Sequence, residues 1–204
     1  MDKEAEMQAL RGWFTVQMQE HFAPEKAPAL VFGQGNLSAD LMLVGEAPGA
    51  REVELGQPFV GQAGKNLDEF LQAVGLDRED IYISNAVKFR PSQPGKRPGT
   101  FKNRPPTAAE VAMSRRLIIR EILLVRPKVV ATLGNAALKS VGGKAVVIGD
   151  CHGQPVPCGV EYEGGSHDFT LFALYHPASI IYNRSLADVY RADMQKLAQF
   201  MQAV

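Results

Sequence analysis

The chain has 204 residues, 46% of them hydrophobic, with 22 Lys+Arg against 22 Asp+Glu. That is enough apolar mass for a sizeable core, expected as one domain over residues 1–204, while a net charge near zero excludes a wholesale basic nucleic-acid binder and leaves only local patches for such contacts. No apolar run approaches the roughly 18 residues of a membrane helix, two cysteines make no disulfide scaffold, and the charged opening MDKEAEMQAL is unlike a signal peptide, so a cytoplasmic monomer is expected.

Residues 4–21 place Met7, Leu10, Phe14 and Met18 at helical spacing, with Trp13 beside them. After a Pro-containing connection, ADLMLVG (39–45) reads as a buried strand, because it is short, apolar and stopped by glycine. The stretch GEAPGAREVELGQPFVGQAG (45–64) reads as a glycine-rich loop that places Glu46, Glu52, Glu54 and Phe59 among small residues. AGKNLDEFLQAVG (63–75) predicts a helix with Leu67, Phe70, Leu71 and Val74 on one face and Gly75 as its stop. DIYISNAV (80–87) is a second strand. TAAEVAMSRRLIIREILLVRP (107–127) is a long helix opened by a capping box, Thr107 with Glu110 three residues on. KVVATLG (128–134) is a third strand, with a helix from about Asn135. Residues 145–168 read as a glycine-rich hairpin, FTLFALYHP (169–177) as a fourth strand, and SLADVYRADMQKLAQFMQAV (185–204) as a closing helix. Cys151 and Cys158 flank HGQPVP; pairing, or a metal held with His152, is open to that spacing, but two isolated thiols are the expectation. His21, His152 and His167 read as structural or solvated.

Strands alternating with helices predict an α/β fold: a three-layer α/β/α sandwich with a central, mostly parallel four-stranded sheet. Ligands of such sheets bind beyond the carboxyl ends of the strands. There GEAPG, SNAVKFRP, GNAA and YHPAS should converge. Glu46 and Phe59 follow the first strand, Asn85 the second, and His176 with Pro177 the fourth. A carboxylate, an amide, an imidazole and an aromatic face suit a planar, polar, uncharged ring. Phe59 can stack on it, Asn85 can offer one edge both a donor and an acceptor, and His176 can donate to a carbonyl oxygen or stabilise an anion forming on the ring. From Ile81 to Ala109 there is no acidic residue, and Lys88, Arg90, Lys96, Arg97, Lys102 and Arg104 lie in a Pro/Gly-rich setting. Such a basic loop suits a phosphate backbone held while one base enters the pocket.

Together VFGQGNLSADLMLVGEAPG, GQPFVGQAG, SNAVKFRP and YHPAS resemble the uracil-DNA glycosylase superfamily, and within it the bacterial and archaeal family 4 type, over residues 31–200. The resemblance implies excision of uracil from DNA by base flipping and hydrolysis of the N-glycosidic bond. It implies that Phe59 stacks on the flipped uracil, Asn85 reads its polar edge and His176 stabilises the uracil anion. The GEAPG turn, with Gly45 and Ala47, would lie against the sugar and the scissile bond. Glu46, and after it Glu52, are the carboxylates expected to handle the water or the sugar cation. PASIIYNRS corresponds to the segment that enters the minor groove, with Ile180, Ile181 or Tyr182 as the wedge and Ser179, Asn183 and Arg184 available for phosphates. No lysine in these motifs suggests a Schiff base, so a monofunctional hydrolase leaving an abasic site is expected.

One departure stands out. Family 4 members hold an iron–sulfur cluster on four cysteines, but the corresponding places here carry MQEHFAPEKAPAL, Phe89 and Met113. No cluster, metal or organic cofactor is therefore expected, and apolar packing by Phe89 and Met113 is expected instead. The loop after Arg90 is longer than the family 4 pattern and is similar to that of a branch that becomes covalently linked to DNA through a loop histidine. No histidine occurs between His21 and His152, so that trapping is not expected. Three other readings compete. One is a glycosylase for hypoxanthine or xanthine. Another is a non-catalytic damage-binding protein on the same fold. The third is a phosphate-handling enzyme, against which GEAPG lacks a following G-K-[ST] and carries a glutamate that would repel phosphate.

Overall fold

The computed structural model describes residues 2–143 and 146–204, with the backbone alone at Ile181 and Tyr182. In chain order its main elements are α1 (Lys3–Phe22), β1 (Gln34–Gly35), β2 (Leu41–Gly45), α2 (Ala50–Leu55), α3 (Gln62–Ala73), β3 (Tyr82–Asn85), β4 (Ser92–Pro94), β5 (Phe101–Asn103), α4 (Ala108–Val125), β6 (Val129–Leu133), α5 (Asn135–Gly142), α6 (Ile148–Cys151), β7 (Pro155–Tyr162), β8 (Gly165–Leu174), α7 (Ser179–Tyr182) and α8 (Leu186–Ala203). The expected four parallel strands are β3, β2, β6 and β8, side by side in that order. Two antiparallel strands extend the sheet to six, β1 beside β3 and β7 beside β8.

Strand alternation explains the three layers. Successive side chains on a strand point to opposite faces. Met42 and Val44 of β2 pack on one face with Met7, Leu10, Phe14 and Met18 of α1 and Leu117, Ile118 and Ile122 of α4. Leu41 and Leu43 pack on the other with Leu67 and Leu71 of α3 and Tyr190, Met194 and Leu197 of α8. Both faces of the parallel strands are thus covered, which is why they read as continuous apolar runs. Parallel alignment also brings the carboxyl ends of all four strands to one edge. There the ladder pairs Gly45 directly with Asn85 and continues one step further, with Ala86 N–H bonded to the Gly45 carbonyl and Val87 N–H to that of Glu46. From β2 the chain moves out to β3 on one side and then crosses back to β6 on the other, the reversal of strand order that opens a crevice at the strand ends.

The capping box of α4 forms in both directions: Thr107 Oγ1 accepts from Glu110 N–H at 3.2 Å, and Glu110 Oε2 accepts from Thr107 N–H at 2.7 Å. Besides the edge strand β1 and the short helices α6 and α7, two further features were not foreseen. The supposed loop 45–64 contains the short helix α2, and the basic loop contains a two-stranded hairpin, β4 with β5.

Candidate active site

Gly45 ends β2 on the α3 side of the sheet. A methyl group placed there would overlap both the Asn85 Oδ1 atom and the Phe59 ring. The missing side chain therefore lets an amide from β3 and an aromatic ring from the next loop approach the same point. Phe59 holds a left-handed backbone (φ 53°), a conformation that costs a non-glycine residue about 1–3 kcal/mol. Its carbonyl is accommodated only because position 64 is glycine, where any Cβ would overlap that oxygen. The Phe59 ring lies 6.1 Å from the His176 ring at 30° between planes.

The cleft over these groups has a volume of about 320 Å³, at the small end of the range for ligand pockets. Asn85, Phe59, His176, Ala47, Glu52, Gln62, Asn103 and Ala178 are among its lining residues. Asn85 is buried, and its side-chain amide makes no hydrogen bond to another described residue, so donor and acceptor both stay available to a ligand.

His176 follows β8. Its Nδ1 accepts the Ala178 N–H at 3.1 Å, which puts the ring proton on Nε2 in the neutral form. Burial holds its pKa down to about 4, against a smaller opposing effect of the Glu52 charge. The site therefore carries a neutral imidazole with a free Nε2–H donor near neutral pH. The Pro177 carbonyl accepts from Asn66 Nδ2 at 3.4 Å, tying this turn to α3.

The two glutamates separate by geometry. Glu52 is the third residue of α2, and its Oε2 accepts the Gly49 N–H at 3.0 Å while Oε1 accepts the Gly61 N–H at 2.9 Å. Because Gly49 has no side-chain oxygen, this is half a capping box. The other half of the carboxylate reaches the start of α3. Glu52 thus clamps the GEAPG turn to the Phe59 segment: each oxygen accepts one backbone N–H while the residue also lines the cleft, so holding the turn is a role that its expected handling of water did not include. Glu46 is half-buried at the end of β2 and accepts no side-chain hydrogen bond from a described residue. Burial raises its pKa above the usual carboxylate value. Ala47 next to it lines the cleft, whereas Glu46 itself does not.

The basic loop divides in the same way. Lys88 was expected on DNA and is instead fully buried, as is Glu121 of α4. Its Nζ donates to Glu121 Oε2 at 2.7 Å, Ser84 Oγ at 2.6 Å and the Asn85 carbonyl at 2.8 Å. An ammonium with those partners has no free direction for a phosphate. Burial lowers the Lys88 pKa, with Glu121 opposing. Arg90 braces the hairpin, through Nε to Asn103 Oδ1 at 2.7 Å and Nη2 to the Phe101 carbonyl at 3.1 Å. Arg104 forks onto Glu110 with two 2.7 Å bonds, the main reason that carboxyl falls to about 2. Lys96, Arg97 and Lys102 are exposed and make no ion pair among the described residues.

In the segment after His176, Ser179 N–H bonds to the His176 carbonyl at 2.8 Å. Asn183 Oδ1 is taken up by Ser185, from N–H at 3.1 Å and from Oγ at 2.6 Å. Arg184 is exposed. Ile180 packs against the α3–α8 core, which argues against it as a wedge. The side chains of Ile181 and Tyr182 lie outside the described residues. Several lining residues escaped sequence reasoning, among them Arg51 on α2, Gln62, hidden at a helix start, and Asn103, hidden in an unrecognised hairpin whose only signal was the Pro/Gly punctuation around it.

The residues where a cluster would sit do not fit one. Phe89 is buried, bridges to Leu30 and meets Phe22 edge-on at 6.0 Å. Met113 packs against the same core. A phenyl ring and a thioether are not the thiolates that hold iron–sulfur clusters. Cys151 and Cys158 are unpaired, with pKa values raised mainly by burial. Among the described residues no three His, Cys, Asp or Glu side chains gather as metal ligands.

Residues 32–202 match the Uracil DNA glycosylase superfamily. The chain is 35% identical over 171 residues to a type-4 uracil-DNA glycosylase of Archaeoglobus fulgidus, covering 82% of this chain and 79% of that protein. It is 36% identical over 175 residues to a type-4 uracil-DNA glycosylase of Thermotoga maritima, with 84% and 83% covered. The type-4 uracil-DNA glycosylase of Sulfurisphaera tokodaii is 31% identical over 175 residues, with 82% and 72% covered.

Proposed function

The chain belongs to the uracil-DNA glycosylase superfamily, and from that premise we propose that it is a DNA-repair hydrolase that flips uracil out of DNA and cleaves its N-glycosidic bond, leaving an abasic site. The observation that carries the residue assignment is the convergence of Asn85 and Phe59 over the side-chain-free Gly45, with the neutral His176 on the same cleft.

In this reading the flipped base stacks on Phe59. Asn85 accepts from N3–H through Oδ1 and donates to O4 through Nδ2, a pattern that cytosine, with its donor and acceptor exchanged, fails to match. As the bond to the sugar breaks, negative charge moves onto the base and His176 Nε2–H donates to its carbonyl oxygen. One such preorganised donor is worth about 3–4 kcal/mol in the transition state. A neutral donor suits the task because it keeps its proton and leaves the anion to depart as such.

Glu46 handles the sugar side. A carboxylate raised in pKa by burial is poorly solvated, so its ionised form gains most from a cation developing nearby. Water then adds to that cation and gives up its proton to the Glu46 carboxylate, leaving the neutral abasic sugar. Gly45 and Ala47 allow the backbone to lie close to the sugar. Lys96, Arg97 and Lys102, with Arg184 and Ser179 after His176, hold phosphates. No step uses a metal or organic cofactor. In this reading the protein works as a monomer. A cytoplasmic location is supported by its two unpaired thiols; among the described residues no helix is long and apolar enough to cross a membrane.

The test is excision from a uracil-containing oligonucleotide by the wild type and by Asn85→Ala, His176→Ala and Phe59→Ala. Each variant is expected to lose at least tenfold in single-turnover rate. Full activity in all three would remove these residues from the site.

A further inference from the structure

The β4–β5 hairpin holds a feature that the uracil site does not use. Phe101 is 61% exposed, more than any other large hydrophobic residue described as exposed. Leaving a phenyl ring in water forgoes burial that normally helps a fold, and a disordered tip would be the ordinary place for it. Here the backbone is held. Phe101 pairs with Pro94 across the hairpin, Gly95 N–H bonds to the Thr100 carbonyl at 2.8 Å, and Arg90 Nη2 donates to the Phe101 carbonyl at 3.1 Å.

Direction follows from strand geometry. Phe101 and Asn103 are two residues apart on β5 and so share a face. Asn103 lines the cleft and, beside Gly49, reaches the GEAPG turn. The Phe101 ring therefore stands on the cleft side of the hairpin, about 7 Å further out at ~3.3 Å per residue. Stacked nucleotides advance about 3.4 Å each along a strand, so this is one or two nucleotides from the base in the cleft. Lys96 and Arg97, in the turn that precedes it, are exposed and without ion pairs among the described residues, whereas Lys102, also exposed, belongs to the opposite face of β5.

An exposed aromatic ring among unpaired cations is the combination that binds single-stranded nucleic acid. We infer that Phe101 is a stacking platform for a nucleobase neighbouring the flipped uracil, on the same DNA strand, with Lys96 and Arg97 on its phosphates. The inference rests on the uracil-DNA reading. It adds a second base-binding position outside the cleft, indifferent to base identity because every base offers a π face.

The experiment uses the intact protein and a single-stranded oligonucleotide carrying 2′-fluoro-2′-deoxyuridine, whose fluorine disfavours the sugar cation and so slows cleavage. Affinity is read by fluorescence anisotropy. The bases flanking the uridine are replaced one at a time by abasic spacers. Wild type is expected to lose about tenfold in affinity when one particular flanking base is missing. Phe101→Ala should lose about the same with every base present and nothing more when that base is removed, while Phe101→Trp should keep the wild-type pattern. Lys96→Ala/Arg97→Ala should lower the slope of log affinity against log salt by about 1.4, at ~0.7 per phosphate contact on a single strand. The inference is overturned if Phe101→Ala binds like wild type. It is equally overturned if its loss is the same whichever flanking base is absent. Should wild type itself fail to release uracil from unmodified DNA, the underlying function fails; normal release with no Phe101 coupling sinks this inference alone.

Discussion

Lys88→Met separates the buried ion pair from the chemistry above it. Lys88 and Glu121 are both fully buried, and Glu121 Oε1 already lacks a hydrogen-bond partner. Removing the ammonium leaves a buried carboxylate whose remaining partner is Ser84 Oγ, at 2.8 Å. Breaking a buried pair this way costs about 3–5 kcal/mol, and at about 2–4 °C per kcal/mol for a chain of this size Tm should fall by roughly 6–20 °C. Glu121→Leu should be similarly damaging. The double variant should recover most of the stability, because replacing both charges by apolar side chains is often neutral or better. Activity should not recover with it. The Asn85 carbonyl still lacks the donor that held it at 2.8 Å, a loss of about 1 kcal/mol, and a rate lower by roughly fivefold to tenfold follows if Asn85 reads the base. Urea denaturation of the four proteins, with single-turnover excision at saturating enzyme, supplies both readouts. The reasoning is refuted if Lys88→Met stays within 1 kcal/mol of wild type, or if the two substitutions simply add.

Three further outcomes are expected. Gly45→Ala puts a methyl where Asn85 and Phe59 meet; excision should fall at least a hundredfold while the melting temperature moves by only a few degrees, and near-normal turnover would show that the base does not sit there. Glu52→Ala removes an acceptor from two backbone N–H groups. Loss of about 1–3 kcal/mol of stability with a higher KM is expected, because the Phe59 segment is freed; a kcat effect with unchanged KM would return Glu52 to the chemistry. The third concerns acid. His176 is held near pKa 4 when folded against an ordinary 6.5, so the unfolded chain binds the extra proton first. Stability from this group is complete above about pH 6.5 and falls by about 3 kcal/mol as pH drops to 4. The wild-type rate should show an acid limb from Glu46 below neutrality, absent in the slower Glu46→Gln; a limb unchanged in that variant would point to another group.

Much of this was legible in the sequence because the relevant signals were local. Apolar runs such as ADLMLVG could only be strands buried on both faces, and the chain order of strands and helices then placed Gly45, Asn85 and His176 on one edge. Phe59 was readable from its setting in GQPFVGQAG, although its left-handed backbone and dependence on Gly64 were not. Lys88 was misread because burial is set by what packs on a residue. Its partner Glu121 is 33 positions away on α4, and a charge run in sequence says nothing of which members face inward. The capping role of Glu52 escaped for the opposite reason: an acid three residues into a helix caps it, but the six-residue α2, set between Gly49 and Gly56, is too short to show a period. The β4–β5 hairpin escaped notice because strands of three residues, SQP and FKN, are too short to show an alternating pattern.

The most direct measurement is identification of the released base. Wild-type protein is incubated, in EDTA, with matched oligonucleotides containing uracil, hypoxanthine, xanthine, cytosine or thymine opposite guanine, and the small-molecule product is identified by mass spectrometry. Free uracil, with an abasic strand in equal amount, lost in Asn85→Ala and His176→Ala and unaffected by the chelator, is the predicted result. Tight binding of uracil-DNA with no free base, or release of hypoxanthine or xanthine in preference to uracil, would contradict the account.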